Sequence, residues 1–337
     1  FTSGESASIS LTSSVLAPVV SVTKEVPQTG VTNNNWDVNS TTENYTRLDS
    51  AAATTLDWVV VGTTAPVYDG VSFTPNQNTS IPTGLAFNND GTKLYIADYS
   101  TDYISQFSLS TAYDLSTATY DSVFLSVNAK ESNLIAFLFS PDGSDIFVTG
   151  RASDAIHRYT LSTAWDLSTA SFVNTTSIAA QDTSPASMRF NGDGTKLILL
   201  GDGTNAFYQY SLSTAYDATS LTYDSVSFSM PTAEWYDFLF SSDGRILFVI
   251  DEPSNFYVYA LSTAYDISTL SLENTYSLSS QDIDSRAIAF NAGDTKLFMI
   301  GLTNDAVYQY SMPLSLELGT GSFASADVGK TIEANSG

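Results

Sequence analysis

The stretch Asp90–Ser122, DGTKLYIADYSTDYISQFSLSTAYDLSTATYDS, decides the fold, because the chain keeps rewriting it. It returns as DGSDIFVTG…HRYTLSTAWDLSTASF from Asp142, as DGTKLILLG…YQYSLSTAYDATSLTYDS from Asp193 and as DGRILFVID…YVYALSTAYDISTLSL from Asp243, with a degenerate fifth copy from Gly293. Three markers keep step: Phe87, Phe139, Phe190, Phe240 and Phe290; the turn glycines Gly91, Gly143, Gly194 and Gly244; and Leu109, Leu161, Leu212 and Leu261. Each advances by about 50 residues per copy, the spacing of one supersecondary unit stacked on itself.

One copy reads as four short strands whose character changes in a fixed order. The first (for example Ile135 to Phe139) and the second (KLYIA, DIFVT, KLILL, ILFVI, KLFMI) are almost wholly apolar, as strands covered on both faces must be. The third (YISQFSL, AFYQYSL) is mixed, and the fourth (TYDSVFLSV, TYDSVSFSM) alternates openly. Burial is thus expected to fall from the first strand to the fourth. A β-sandwich would give similar alternation in every strand, and a βαβ repeat needs a helical stretch that is missing. Four-stranded antiparallel sheets packed face to face around an axis meet the gradient, which makes each copy a β-propeller blade.

The turns agree. Asn-Asp-Gly and Pro-Asp-Gly supply the positive φ of a tight hairpin between the first two strands. The repeated Ser-Thr-Ala-Tyr-Asp places Thr111, Thr163, Thr214 and Thr263 three residues before Asp114, Asp166, Asp217 and Asp266, capping-box spacing for a short helical turn. Its aromatic residue (Tyr113, Trp165, Tyr216, Tyr265) recurs in every full copy, so it is read as a spacer between blades and not as a ligand platform. The fifth copy stops after its third strand, and PVYDGVSFT at Pro66–Thr74 resembles the missing fourth. An N-terminal strand closing the last blade makes the domain an all-β, five-bladed propeller of four-stranded antiparallel blades, spanning 65–313. Residues 1–64, with strand-like pieces at Ala7–Leu11, Pro18–Val22 and Trp58–Val61, are read as a small β-rich connector, and 314–337 as the start of a following module or linker.

Thirty-six acidic against twelve basic residues give a formal charge of −24. Such a field repels phosphate backbones, so nucleic acid is not an expected partner. No run approaches the roughly 18 apolar residues of a membrane helix, and the absence of cysteine excludes disulfides and thiolate chemistry. A start at Phe1 and a stop in mid-pattern at Gly337 are read as those of a piece of a longer polypeptide.

VVSVTKEVPQTGVTNNNWDVNSTTENYTRLD at Val19–Asp49, the LSTAYDLSTATYDS repeats, and the final FASADVGKTIEANSG each resemble modules of tail-fibre and other virion-surface proteins of phages, marine ones especially; the repeat also occurs in bacterial surface proteins. The resemblance implies a structural or receptor-binding role on a virion surface or another extracellular appendage. The expected partners are a cell-surface glycan or protein receptor and other virion or fibre subunits, in an arrangement compatible with a homo-oligomer.

The chemistry expected of the chain is binding. The lone histidine, His157, stands in a third strand where other copies have Ser105, Tyr208, Tyr257 and Tyr308, a packing position, so metal sites and Ser-His-Asp catalysis are not expected. Asp90, Asp142, Asp193 and Asp243 precede turn glycines without the spaced ligands of a calcium loop, and no cofactor motif is present. The chain is read as no enzyme, with a carboxylate-based glycosidase or lyase, or a bacterial adhesin, as alternatives. Loops linking one blade to the next, and those between second and third strands, share one face and diverge between copies, so the site is placed there. Glu234, Trp235 and Tyr236, beside Glu131, Arg151, Asp251, Glu252 and Arg286, form the expected ligand-binding set, suited to a neutral glycan: aromatic faces for sugar rings and acids for hydroxyls. Packing of Trp235 beneath its own loop is the competing reading.

Overall fold

In each of the four full copies an Asn/Ser-x-Asp-Gly hairpin turns the chain back on itself. Gly91, Gly143, Gly194 and Gly244 all have φ of 71° to 74°, and the Asp side chain braces the turn: Thr92 donates its N–H and its hydroxyl to Asp90 Oδ1. Hydrogen bonds from Ser140 and from Ser144 hold the Asp142 carboxyl down at about 2. The computed structural model describes residues 65–75, 77, 79–231 and 234–312, together with the backbone of five short strands in the flanks.

Each hairpin opens an antiparallel sheet of four strands. Blade one comprises Pro82–Phe87, Lys93–Asp98, Tyr103–Leu109 and Ala118–Ser126. Blades two, three and four start at Leu134–Phe139, Pro185–Phe190 and Trp235–Phe240. Blade five takes Ser285–Phe290, Lys296–Gly301 and Ala306–Ser311 and is completed by Val67–Phe73 from upstream, Val307 facing Phe73 and Ser311 facing Val67. The domain is a five-bladed β-propeller, and its ring is closed by the strand expected from the sequence.

Apolar layers between blades hold the ring. Tyr95, Ile104, Phe137 and Val148 pack between blades one and two. Phe147, Leu199 and Met188 pack between two and three, Phe207, Phe238 and Val249 between three and four, and Phe107, Ile96 and Phe298 between five and one. Each fully buried side chain of this size contributes about 1.5–3 kcal/mol. The burial gradient differs from expectation in one respect. The second strands are the most buried, every residue of Asp145–Gly150 and Ile246–Asp251 being covered, while first strands keep partly open positions. The first strand's outer neighbour is another strand, but its inner edge borders the central channel.

The Ser-Thr-Ala-Tyr-Asp loop forms a single 3-10 turn, Leu115–Thr117 in blade one, and its cap is Asp114, whose side chain accepts from Ser116 N–H. This corrects the capping-box reading, in which Thr111 held that role. Tyr113 adopts a φ of 58° and its ring lies on Gly91, where a Cβ would come within 2.2 Å of it. Glycine and aromatic residue are therefore one packing unit. The ring also stacks on Phe298 of blade five, so it does span blades. In blade five no such loop follows, and the same left-handed position is taken by Asp294 with a φ of 53°.

Blades come in two kinds. The fourth strand bulges in every blade, by one residue in two and four but by two residues in one, three and five, where Ser122, Ser225 or Gly70 stands at positive φ. That bulge turns Asp121, Asp224 or Asp69 toward Lys93, Lys196 or Lys296 and toward Gln106, Gln209 or Gln309. Blades two and four carry Asn174 and Asn274 on the fourth strand instead. Gln106 and Gln209 reach onward, their Oε1 accepting from Leu167 N–H and Ile267 N–H of the following blade. Gln309 Oε1 is buried without a partner.

The chain divides into two compact units, 66–312 and the flanks 1–65 with 313–337. In the flanks Ala7–Leu11 pairs in parallel with Thr331–Ser336, which also pairs with Tyr45–Arg47, and Leu318–Gly321 pairs with Leu56–Val59. The strand at Ala7–Leu11 falls where it was expected; the one expected at Trp58–Val61 lies at Leu56–Val59. The piece expected at Pro18–Val22 lies outside the described residues.

Candidate functional site

The site begins with a fault in pairing that every blade shares. Pro82 faces Asp98 and Gly84 faces Ala97, which leaves Thr83 as an extra residue in the first strand. The same slip makes Ile135, Ala186, Tyr236 and Arg286 the extra residues of the other blades. A bulge frees a residue from the ladder and re-aims its side chain. The copies agree at the far end of this strand, where the phenylalanine recurs, and disagree at the bulge, which reads Thr, Ile, Ala, Tyr and Arg.

Four of these side chains, Thr83, Ile135, Tyr236 and Arg286, meet Ile81, Tyr99 and Arg151 around a cavity of about 180 Å³. The Arg286 guanidinium lies 4.1 Å from the centre of the Tyr236 ring. Its Nε and Nη2 pair with Asp284 at 2.6 and 2.7 Å. The Tyr236 hydroxyl donates to Glu252 Oε2 at 2.9 Å. Burial raises the Tyr236 pKa, Arg286 opposes that rise and Glu252 adds to it, so the phenol stays a donor. Across the cavity, Arg151 Nη2 donates to Asp202 at 2.7 Å. Beside the bulge of blade four, Asp237 accepts from Arg189 Nη2, Ser187 Oγ and the N–H of Phe238 and Ile288, tying blades three, four and five together. A wider depression of about 510 Å³ on blades two and three is lined by Asp142, Ser144, Tyr216 and Asp217 among others. Those residues belong to turns that every full copy repeats, and the individual pair beside them, Asp145 and Arg158, is joined in an ion pair at 2.8 Å.

Arg151, Tyr236 and Arg286 of the expected set thus share one cavity. Glu252 bonds to its Tyr236, and Glu234 is exposed at a φ of 72° with its carbonyl accepting from Glu252 N–H. The remaining three require correction, because they are buried. Trp235 is 0% exposed and packs on Tyr257, its ring centre 4.7 Å away, so it offers no face to a sugar. Glu131 and Asp251 are covered because each braces a loop. Glu131 accepts from the N–H groups of Asn133, Ala152 and Ser153 and from the Ser153 hydroxyl.

That brace is a second repeated device. Asp182 accepts from Ser184 and Thr204, and Asp282 from Asp284, Thr303 and Asn304, in the same places. Each acid lies on a glycine ending the neighbouring second strand, Gly150, Gly201 or Gly301, and a Cβ on Gly201 would stand 2.3 Å from Asp182 Oδ2. Blades one and four carry Asp98 and Asp251 where these glycines stand, and those carboxylates accept from Thr101 and Ile81 or from Asn255 and Tyr257. Burial raises the Asp251 pKa against the pull of these bonds. One buried carboxylate per blade is supplied from either side of the same gap. The exchange of Gly150, Gly201 and Gly301 for Asp98 and Asp251 was visible in the aligned copies.

His157 is locked beside Glu131: its Nε2 is 2.8 Å from Ser153 Oγ and its Nδ1 2.9 Å from Thr175 Oγ1. Burial lowers its pKa below the ordinary 6.5, Glu131 opposes this and Lys130 adds to it. Below pH 6.5 the unfolded chain then binds a proton that the folded one does not, so stability falls as the pH falls, by at most about 1.4 kcal/mol per unit for one group. The melting temperature is expected to drop by a few degrees between pH 7.5 and 5.5, and by less in His157→Gln. Parallel pH profiles for the two proteins would rule out this account.

No protein-family model matches the chain, and neither does any curated protein. Among solved structures it is similar to the periplasmic gluconolactonase PpgL of Pseudomonas aeruginosa (17% identity, 91% of each chain, TM-score 0.42). It is also similar to a candidate 6-phosphogluconolactonase of Bacteroides uniformis (18% identity, 72% of this chain and 69% of that one, TM-score 0.43). A functionally unknown protein of Desulfotomaculum acetoxidans is similar at 13% identity, over 82% of this chain and 88% of that one, with a TM-score of 0.42. The names correct one expectation: the chain was read as no enzyme, and with lactonases among the structures it resembles that exclusion is withdrawn. At such identities and TM-scores no activity passes to this chain.

Proposed function

We propose that the propeller is a ligand-recognition module whose site is the cavity at the mouth of its channel, and that it holds the end of a cell-surface glycan. The observation behind this reading is the ring of bulges, which turns out of the ladder a residue that differs in every blade, and four of those residues into one cavity. At about 180 Å³ the cavity is smaller than the roughly 300–1,000 Å³ that encloses a drug-sized ligand. It suits one sugar ring or chain end. Tyr99 and Tyr236 supply amphipathic rings, and Ile81 and Ile135 apolar surface. Placement on a phage fibre or similar extracellular appendage rests on the sequence resemblance of the repeats and flanks.

The test is a titration of bacterial surface polysaccharides against the wild type, Tyr236→Phe and Tyr236→Ala. Tyr236→Phe keeps the ring under Arg286 and should bind within a few-fold of wild type. Tyr236→Ala should weaken binding about tenfold or more, equivalent to about 1.4 kcal/mol, with little change in melting. Undiminished binding by folded Tyr236→Ala would move the site elsewhere.

A further inference from the structure

The two charged side chains that line the mouth are both basic, with Asp202 and Asp284 standing behind them as partners. A chain with thirty-six acidic and twelve basic residues lines this cavity with two arginines and no carboxylate. Resting on the glycan reading above, we infer that the ligand is an anionic sugar, one carrying a carboxylate, and not the neutral glycan that the sequence favoured.

The donors decide it. A neutral hydroxyl cluster is held by a mixture of acceptors and donors, and the acids that were to supply the acceptors are spent elsewhere. Glu131 and Asp251 are buried under backbone N–H groups, and Glu252 is engaged by the Tyr236 hydroxyl. What remains is donor-rich. Arg286 donates from Nη2 to Asp284 Oδ2, with its Nε held against Oδ1 in the ion pair, and Arg151 gives only Nη2 to Asp202. Among the described residues no partner takes Arg286 Nη1 or Arg151 Nε and Nη1. Guanidinium nitrogens only donate, and an ionised carboxylate only accepts. Asp284 and the Tyr236 face together fix the plane of Arg286, and a guanidinium pinned on an aromatic ring keeps its free edge ready for planar, paired recognition of a carboxylate. The overall negative charge opposes an incoming anion, but in about 0.15 M salt such repulsion is screened beyond roughly 8 Å. The contact at the two arginines is shorter than that and is partly shielded by the cavity wall.

The inference is tested with the full chain on an array of acidic oligosaccharides, oligomers of galacturonate, glucuronate and mannuronate among them, each paired with its methyl ester, beside neutral oligosaccharides. Binding to acidic members, at least tenfold weaker for their esters and at least tenfold weaker in both Arg286→Gln and Arg151→Gln, is the expected result. Arg151 is exposed, so its replacement is expected to leave melting within a degree or two of the wild type and to separate binding from stability. Equal binding of acids and esters, or binding of neutral sugars alone, would overturn the anionic ligand and leave the glycan reading standing. Absence of binding to every sugar would overturn the glycan reading, and this inference with it.

Discussion

A chain beginning at Asn76 is expected to lose the folded propeller, whereas one beginning at Thr64 keeps it. The difference is the strand Val67–Phe73, which supplies the fourth strand of blade five. Asp69 in that strand accepts from Lys296 Nζ, Gln309 Nε2 and Ser311 Oγ at 2.6–2.8 Å. Phe73 meets Phe107 of blade one edge-on at 5.5 Å, within the layer that joins the two ends of the ring. Several backbone hydrogen bonds at about 1 kcal/mol each, and two half-buried apolar side chains at up to about 1.5–3 kcal/mol each, sum to roughly 5–10 kcal/mol. Net stabilities are only about 5–15 kcal/mol, and the bared third strand would in addition offer its edge to other chains. Circular dichroism melts and solubility measure the outcome. Equal melting temperatures for the two chains would mean that the ring does not depend on this closure.

Trp235→Ala and Tyr236→Ala, one residue apart, should fail in different ways. Trp235 is wholly buried among Phe238, Val249 and Tyr257, and removing such a ring costs about 3–5 kcal/mol through lost burial and the cavity left behind. At about 2–4 °C per kcal/mol for a domain of this class, melting should fall by roughly 6–20 °C. Tyr236, on the bulge, is half-buried and should change binding far more than melting. If Trp235→Ala melts within 2 °C or so of the wild type, the packing described for blade four is wrong.

The fold was legible because each blade repeats its own instructions. Turn glycine, apolar pair of strands and capped loop recur in one order, and Pro66–Thr74 copies the strand that the last blade lacks. The site was legible only as a face of the ring. Whether an acid in a variable loop looks outward or folds under depends on a residue far along the chain: Glu131 is drawn inward because Gly150 leaves room for it, and no pattern within its own loop says so. Trp235 and Tyr236 show the same limit. Alternation along a strand cannot tell which of two neighbouring aromatics faces the core until the bulge is located, and the bulge arises from pairing with Asp251 and Ile250 on the next strand. Placing the copies' bulge positions side by side would have brought Thr83 and Ile135 into the candidate set.

The two kinds of blade carry a consequence of parity. Alternating members can close a ring of even number without conflict, but a ring of five must set two of the same kind side by side. Here the like pair is five and one, both with the Lys-Gln-Asp cluster, and Gln309 finds no counterpart to the Leu167 and Ile267 N–H groups that Gln106 and Gln209 reach across unlike junctions. The ring reads as a tandem of two-blade units with the last unit halved, and its one mismatched joint coincides with the place where the strand from upstream is laid in. Ring opening would begin at this seam.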